Sequence, residues 1–109
     1  MSRDFIAFEV ALRIIEALRD VVPVVRRHSR RQAEQLVDAA SSVAANLAEG
    51  NRRVGQDRLH LFRIALGSAD EVRAHLRIAL AWGWVRSQQI ARALDLVDQE
   101  IAITFALTR

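Results

Sequence analysis

Apolar residues recur at spacings of three and four along almost the whole chain, and no window alternates with period two for long enough to make a strand. Phe5, Phe8, Leu12, Ile15, Leu18 and Val22 form one stripe, which predicts an amphipathic helix over 4–22 with Glu9 and Arg13 as a favourable i,i+4 pair on its polar side. Pro23 lacks an N–H and restricts the residue before it, so it is predicted to close that segment. A second helix over 29–50 opens at Ser29-Arg30-Arg31-Gln32, which reads as a capping box. It continues through Leu36, Ala40, Val43 and Leu47 to Gly50, expected as the left-handed residue at its C-terminus. After the turn Asn51–Gly55, a third helix over 56–82 carries Leu59, Phe62, Ala65, Ala69, Val72, Leu76 and Ala79, and Gly83 ends it. Ser87 is expected to cap a fourth, over 87–108, with the stripe Ile90, Leu94, Val97, Ile101 and Phe105. Four helices of about twenty residues with short connections predict an all-α fold: an antiparallel up-down-up-down four-helix bundle, in one domain spanning 1–109.

Antiparallel packing about a turn centred near Arg53 would set Ala39 and Ala40 opposite Gly67, Ser42 near Ile64 and Asn46 near His60. A glycine inside a helix destabilises it by roughly 1 kcal/mol relative to alanine, so a close backbone approach at Gly67 is the expected reason for it. The same pairing gathers Arg26, Arg27, Arg30, Arg31 and Arg86 at one end, and Arg52, Arg53, Arg58, Arg3 and Arg109 at the other.

Charge sharpens this picture. All 16 basic residues are arginine, against 13 acids, for a net charge of +3. Residues 23–58 alone hold seven arginines and four acids, which accounts for the whole excess. Two readings fit: solvated turns that tolerate arginine, or phosphate contact at one or both ends. With 51% hydrophobic residues and no cysteine, the composition excludes a disordered chain, a disulfide framework and thiolate chemistry. The longest charge-free runs, 39–48 and 78–85, fall well short of the roughly 18 residues of a membrane span. The start, Met1-Ser2-Arg3-Asp4, carries an acid and shows no signal peptide. A soluble, cytoplasmic protein without a cofactor is expected.

Candidate chemistry falls away on inspection. A di-iron bundle needs two Glu-x-x-His motifs and two further inward carboxylates. Here Asp57-Arg58-Leu59-His60 is the sole acid-x-x-His, Glu71 and His75 are four apart, and the predicted interior stripes of the first and fourth helices contain no acid. Gly50–Gly55 mimics half a phosphate-binding loop, but Gln56-Asp57 replaces the lysine and hydroxyl that would reach phosphates and magnesium. Ser41, Ser42 and Ser68 sit among alanines, where small size explains them. No metal and no enzymatic activity are expected. Trp82-Gly83-Trp84 supports two readings, a cap on the core or a surface for a partner or a stacked base. The flat face of Ala44, Ala45 and Ala48 leaves self-association open.

Two runs carry a family resemblance. Ala39-Ala40-Ser41-Ser42-Val43-Ala44-Ala45-Asn46-Leu47-Ala48-Glu49-Gly50 resembles the pattern A-A-x-S-I-x-x-N-I-A-E-G, and His60–Glu71, with Arg63, Gly67, Ser68 and Glu71, resembles F-L-R-I-A-x-G-S-x-x-E. Gly83-Trp84-Val85 is similar to a G-Y-L turn. Together they resemble the bacterial four-helix-bundle proteins encoded in intervening sequences of 23S ribosomal RNA genes, over about residues 5–100. The resemblance implies an up-and-down bundle, a homopentameric barrel and no known catalysis. It also implies kinship with accessory variability proteins of diversity-generating retroelements, where a basic pentamer engages a reverse transcriptase and nucleic acid. The chain departs from the pattern at Val37-Asp38, where relatives commonly carry a basic pair, and at Arg73, where an acid is frequent. The functional expectation is a non-enzymatic homo-oligomer that binds RNA, DNA or a nucleoprotein partner. Arg26, Arg27, Arg30, Arg31, Arg52, Arg53 and Arg58 would make the phosphate contacts, with Trp82 and Trp84 as a partner surface. A protein–protein scaffold without a nucleic-acid role is the alternative.

Overall fold

Helix ends are set by local chemistry that can be followed residue by residue. A computed structural model describes residues 3–109, with side chains from Phe5 onward, so the side chain of Arg3 lies outside what is described. Five helices follow one another: α1 (Arg3–Leu18), α2 (Val22–His28), α3 (Arg30–Gly50), α4 (Gly55–Ala81) and α5 (Ser87–Leu107). No strand occurs among the described residues, and the fold is all-α.

The expected first helix, 4–22, ends early, at Leu18, and residues 22–28, expected as a connection, form a helix of their own. The backbone leaves α1 through a turn in which Val21 N–H bonds Leu18 O at 3.0 Å, and Pro23 then stands in the first turn of α2. Pro23 therefore begins a helix rather than ending one, because the first N–H groups of a helix have no intrahelical acceptor to lose. Buried Leu18, Val21 and Val25 carry the apolar face across the break.

Ser29 ends α2 in extended geometry (φ −155°) and caps α3, its Oγ accepting from Gln32 N–H at 3.1 Å. Only this half of the capping box forms: the Gln32 side chain reaches across to His75 Nδ1 at 3.1 Å. Gly50 remains helical, and the positive φ values belong to Gly55 (62°) and Gly83 (76°). After α4, Gly83 N–H bonds Leu80 O (2.9 Å) and Trp84 N–H bonds Ala79 O (3.0 Å), the paired bonds of a Schellman ending. Ser87 is the first residue of α5 rather than its cap. Instead Gln89 Oε1 accepts from Arg86 N–H at 2.7 Å.

α3 packs along α4, α4 along α5, α5 along α1 and α1 along α3, while α2 lies against the start of α3. A helix of 27 residues is about 40 Å long, so α4 spans nearly the whole 42 Å of the molecule. The core differs from the expected stripes in two helices. In α1 the buried side chains are Ala7, Val10, Ala11, Ile14 and Leu18, while Phe5 and Leu12 face outward. In α5 they are Ile90, Ala93, Leu96, Val97, Glu100 and Thr104, while Phe105 is exposed. Small residues allow close helix approach, and the bulky ones are displaced to the flanks. Glu100 is thus an interior acid that the stripe Ile90-Leu94-Val97-Ile101 had excluded.

Candidate nucleic-acid interface

α3 runs about 30 Å from Ser29 to Gly50, so the turns at its two ends define two separate surfaces. At the first, Arg26, Arg27 and His28 form the last turn of α2, and Arg30 and Arg31 the first turn of α3. All four arginines are exposed, as is Arg86 between α4 and α5. Arg30 pairs with Glu34 at 3.3 Å in full solvent, which contributes little. Among the described residues Arg26, Arg27, Arg31 and Arg86 form no ion pair.

The same end carries a stack of three rings. The His28 imidazole lies parallel to Trp84 (centroids 5.7 Å apart, 5° between planes), and Trp84 lies parallel to Trp82 (6.0 Å, 12°). Trp84 is half-buried against the core, whereas Trp82 is 70% exposed. The two tryptophans thus divide the two expected roles: Trp84 closes the core and Trp82 faces solvent. His28, which sequence reasoning did not single out, is what joins the α2–α3 turn to the α4–α5 turn. Its signal was a histidine beside the capping serine, with two indoles in the turn expected at the same end.

The opposite end employs its arginines internally. Arg53 pairs with Glu49 at 2.9 Å, and Arg58 donates to Gly50 O at 3.3 Å while its guanidinium lies over the Phe62 ring at 4.7 Å. Arg52 is exposed. Gly50 is the glycine that a close approach demands: a Cβ there would sit 2.7 Å from Phe62 Cε1. Gly67, expected in that role, is exposed with nothing within 4 Å of a Cβ position. The cause is the pairing of α3 with α4. Ser42 Oγ meets Ser68 Oγ at 2.8 Å, one helical turn further along α4 than Ile64, which turns Gly67 outward. Asn46 joins this pair by donating to Ser42 Oγ at 3.0 Å and Ser42 O at 2.9 Å, rather than approaching His60.

Arg63 is exposed on α4, as is Glu71, whose Oε2 is 3.7 Å from His75 Nε2. Among the described residues no three His, Asp or Glu side chains gather as a metal site, and no helix is long and apolar enough to cross a membrane.

With Ser42, Asn46, Ser68 and Gly50 placed at one helix–helix seam, the two sequence motifs become parts of one packing device, and residues 6–105 match the family model of the 23S rRNA-intervening sequence protein. The chain belongs to that family. The chain superposes with a TM-score of 0.81 on the crystal structure of a protein of unknown function from the S23 ribosomal protein family of Bacteroides thetaiotaomicron, at 16% identity over 98% of both chains. At that identity the likeness establishes the fold. No curated protein matches the intervening-sequence protein in sequence.

Proposed function

We propose that this intervening-sequence protein is a non-enzymatic oligomer that binds RNA, or a nucleoprotein partner such as a retroelement reverse transcriptase, through its arginine-bearing end. The carrying observation is local charge. Residues 22–34 and 78–92, which form that end, hold six arginines and a single acid, Glu34. Phosphate contacts of this kind position a nucleic acid without reading its sequence. At the other end Arg53 and Arg58 are already engaged by Glu49, the Gly50 carbonyl and Phe62, so this reading gives the phosphate contacts to the first end and none to Arg52, Arg53 or Arg58.

In this reading α1 and α2 act as one bent arm of an antiparallel four-helix bundle, and the bundles associate into a homopentameric barrel. A ring needs two different complementary surfaces on each subunit. Two grooves flank α1 and support this: one of about 370 Å³ lined by Ile15, Leu18, Val22, Pro23, Val37 and Ala40 together with Arg19, Arg26 and Ser41, the other by Ile6, Ala102, Ile103 and Ala106. Repetition around the axis would turn a modest +3 per chain into a basic rim. Exposed Trp82 favours a second reading, a protein-only scaffold.

Retention of RNA at low salt, falling steeply as salt is added, is the expected result, with light scattering reporting five subunits. No RNA or DNA retained at low salt would overturn the nucleic-acid reading. Salt-insensitive co-purification of a protein, lost on Trp82→Ala, would establish the scaffold.

A further inference from the structure

We propose that the His28–Trp84–Trp82 ladder is a stacking platform for an unpaired base, so that the ligand of the basic end is a single-stranded nucleic acid. The proposal rests on the nucleic-acid reading above and adds the class of ligand.

The geometry begins with Trp84, whose ring is fixed on one side by the core and lies parallel to both neighbours. Trp82 extends that stack by one ring and presents 70% of its surface to water. A large indole in this position carries apolar area that gains from being covered. Because its plane is held by Trp84, an incoming base would continue an existing stack and lose less freedom than on a mobile ring.

Charge around the ladder selects what can cover it. Arg27 precedes His28, Arg30 follows it by two residues, and Arg86 follows Trp84 by two, so three guanidinium-bearing residues start within about 8 Å of ladder residues along the chain. No acid lies among residues 22–33 or 78–92. An apolar protein surface would have to desolvate Arg27 and Arg86, which have no ion-pair partner among the described residues, whereas a nucleotide brings a flat ring and a phosphate on one covalent frame. The opposite end lacks the arrangement: Phe62 is buried, with Arg58 over its ring at 4.7 Å, and the half-exposed Phe105 stacks on no second ring among the described residues and carries Arg109 at 5.6 Å. Among the described residues no guanidinium lies over Trp82 or Trp84.

A base inside a duplex already has both faces stacked, so a platform of this kind discriminates in favour of unpaired strands. It should do so with little sequence preference, since every base has a π-face.

The test compares a labelled oligouridylate with an RNA duplex of equal length, in low salt, on the full chain and on Trp82→Ala, Trp82→Phe and the Arg26→Ala/Arg27→Ala pair. Trp82 is exposed, so unchanged helix content by circular dichroism is required of each variant. The expected result is that Trp82→Ala weakens the single strand by roughly ten- to a hundredfold, that Trp82→Phe recovers part of the loss, and that duplex binding is unchanged by either. Oligouridylate should also quench a fluorescence component that is absent in Trp82→Phe. If Trp82→Ala leaves oligouridylate binding intact while the arginine pair weakens both ligands, the ladder proposal is overturned and the phosphate reading stands. If the full chain binds neither ligand, both fall. Salt-insensitive capture of a protein that is released by Trp82→Ala, without RNA binding, also overturns the proposal.

Discussion

At the α3–α4 turn, Arg53 closes on Glu49 and Arg58 covers Phe62. Some 30 Å away, Arg26, Arg27, Arg31 and Arg86 reach into solvent beside three stacked rings. One end engages Arg53 and Arg58 in its own contacts, and the other leaves four arginines without an ion pair among the described residues. The same division extends inward. Gly50 and Phe62 meet at the first end, and Glu100 lies about 20 Å along α5 from Ser87, toward it. The account therefore separates stability from binding: substitutions near the α3–α4 end should change folding and leave ligand affinity alone, and those at the basic end should do the reverse.

The largest expected effect is a pH dependence of folding set by Glu100. Its side chain is fully buried, Oε2 has no hydrogen-bond partner, and Oε1 receives only a long 3.5 Å bond from Thr104 Oγ1. Burial pushes the carboxyl from 4.5 up to about 8, with the Thr104 bond opposing. Below 4.5 the group is protonated in both folded and unfolded chains and contributes no penalty. As pH rises toward 8 the unfolded chain releases the proton and the folded one keeps it, so stability declines by about 1.4 kcal/mol per pH unit, about 5 kcal/mol in all. Above 8 the decline stops. Urea midpoints should show this slope in the wild type and lose it in Glu100→Met, which should also be the more stable protein at neutral pH. Equal slopes in both would remove Glu100 from the account.

Next comes a pair of identical substitutions with opposite signs. Gly50→Ala drives a Cβ to 2.7 Å from Cε1 of the buried Phe62 ring, and should lower stability by about 1–3 kcal/mol in denaturant titration. Gly67→Ala adds a methyl in open space on a helix and should raise stability by about 0.5–1 kcal/mol. Neither should alter RNA binding. A stabilising Gly50→Ala would mean that the ring yields and the seam is looser than described.

These residues also mark how far the sequence could be read. The Ser29 cap and the Gly83 ending were legible because their chemistry is local. Pro23 was legible as a boundary, but its side was not: the same missing N–H ends one helix and suits the start of another. The close approach falls to Gly50 instead of Gly67 because a four-residue shift between α3 and α4 decides which one faces an aromatic ring, and nothing local fixes that shift. Bulky Phe5, Leu12 and Phe105 suggested stripes that the close packing of Ala7, Ala11 and Ala93 overrode. Glu100 was hidden by the assumption that an acid marks a polar face, although Ile90, Ala93, Val97, Glu100 and Thr104 keep a strict helical spacing. The clustering of arginines at two ends followed from topology alone. That Arg58 turns back onto Gly50 and Phe62 while Arg26, Arg27, Arg31 and Arg86 stay unpaired depended on the three-dimensional packing.

The separation of the two ends is tested most directly by the salt dependence of oligouridylate binding in two double variants, Arg26→Ala/Arg27→Ala and Arg52→Ala/Arg53→Ala. The account predicts that the first loses affinity at low salt and that its log–log salt slope falls by about 0.7 for each phosphate contact removed, while the second keeps the slope of the wild type. Equal losses in the two variants, or a greater loss in the second, would contradict it.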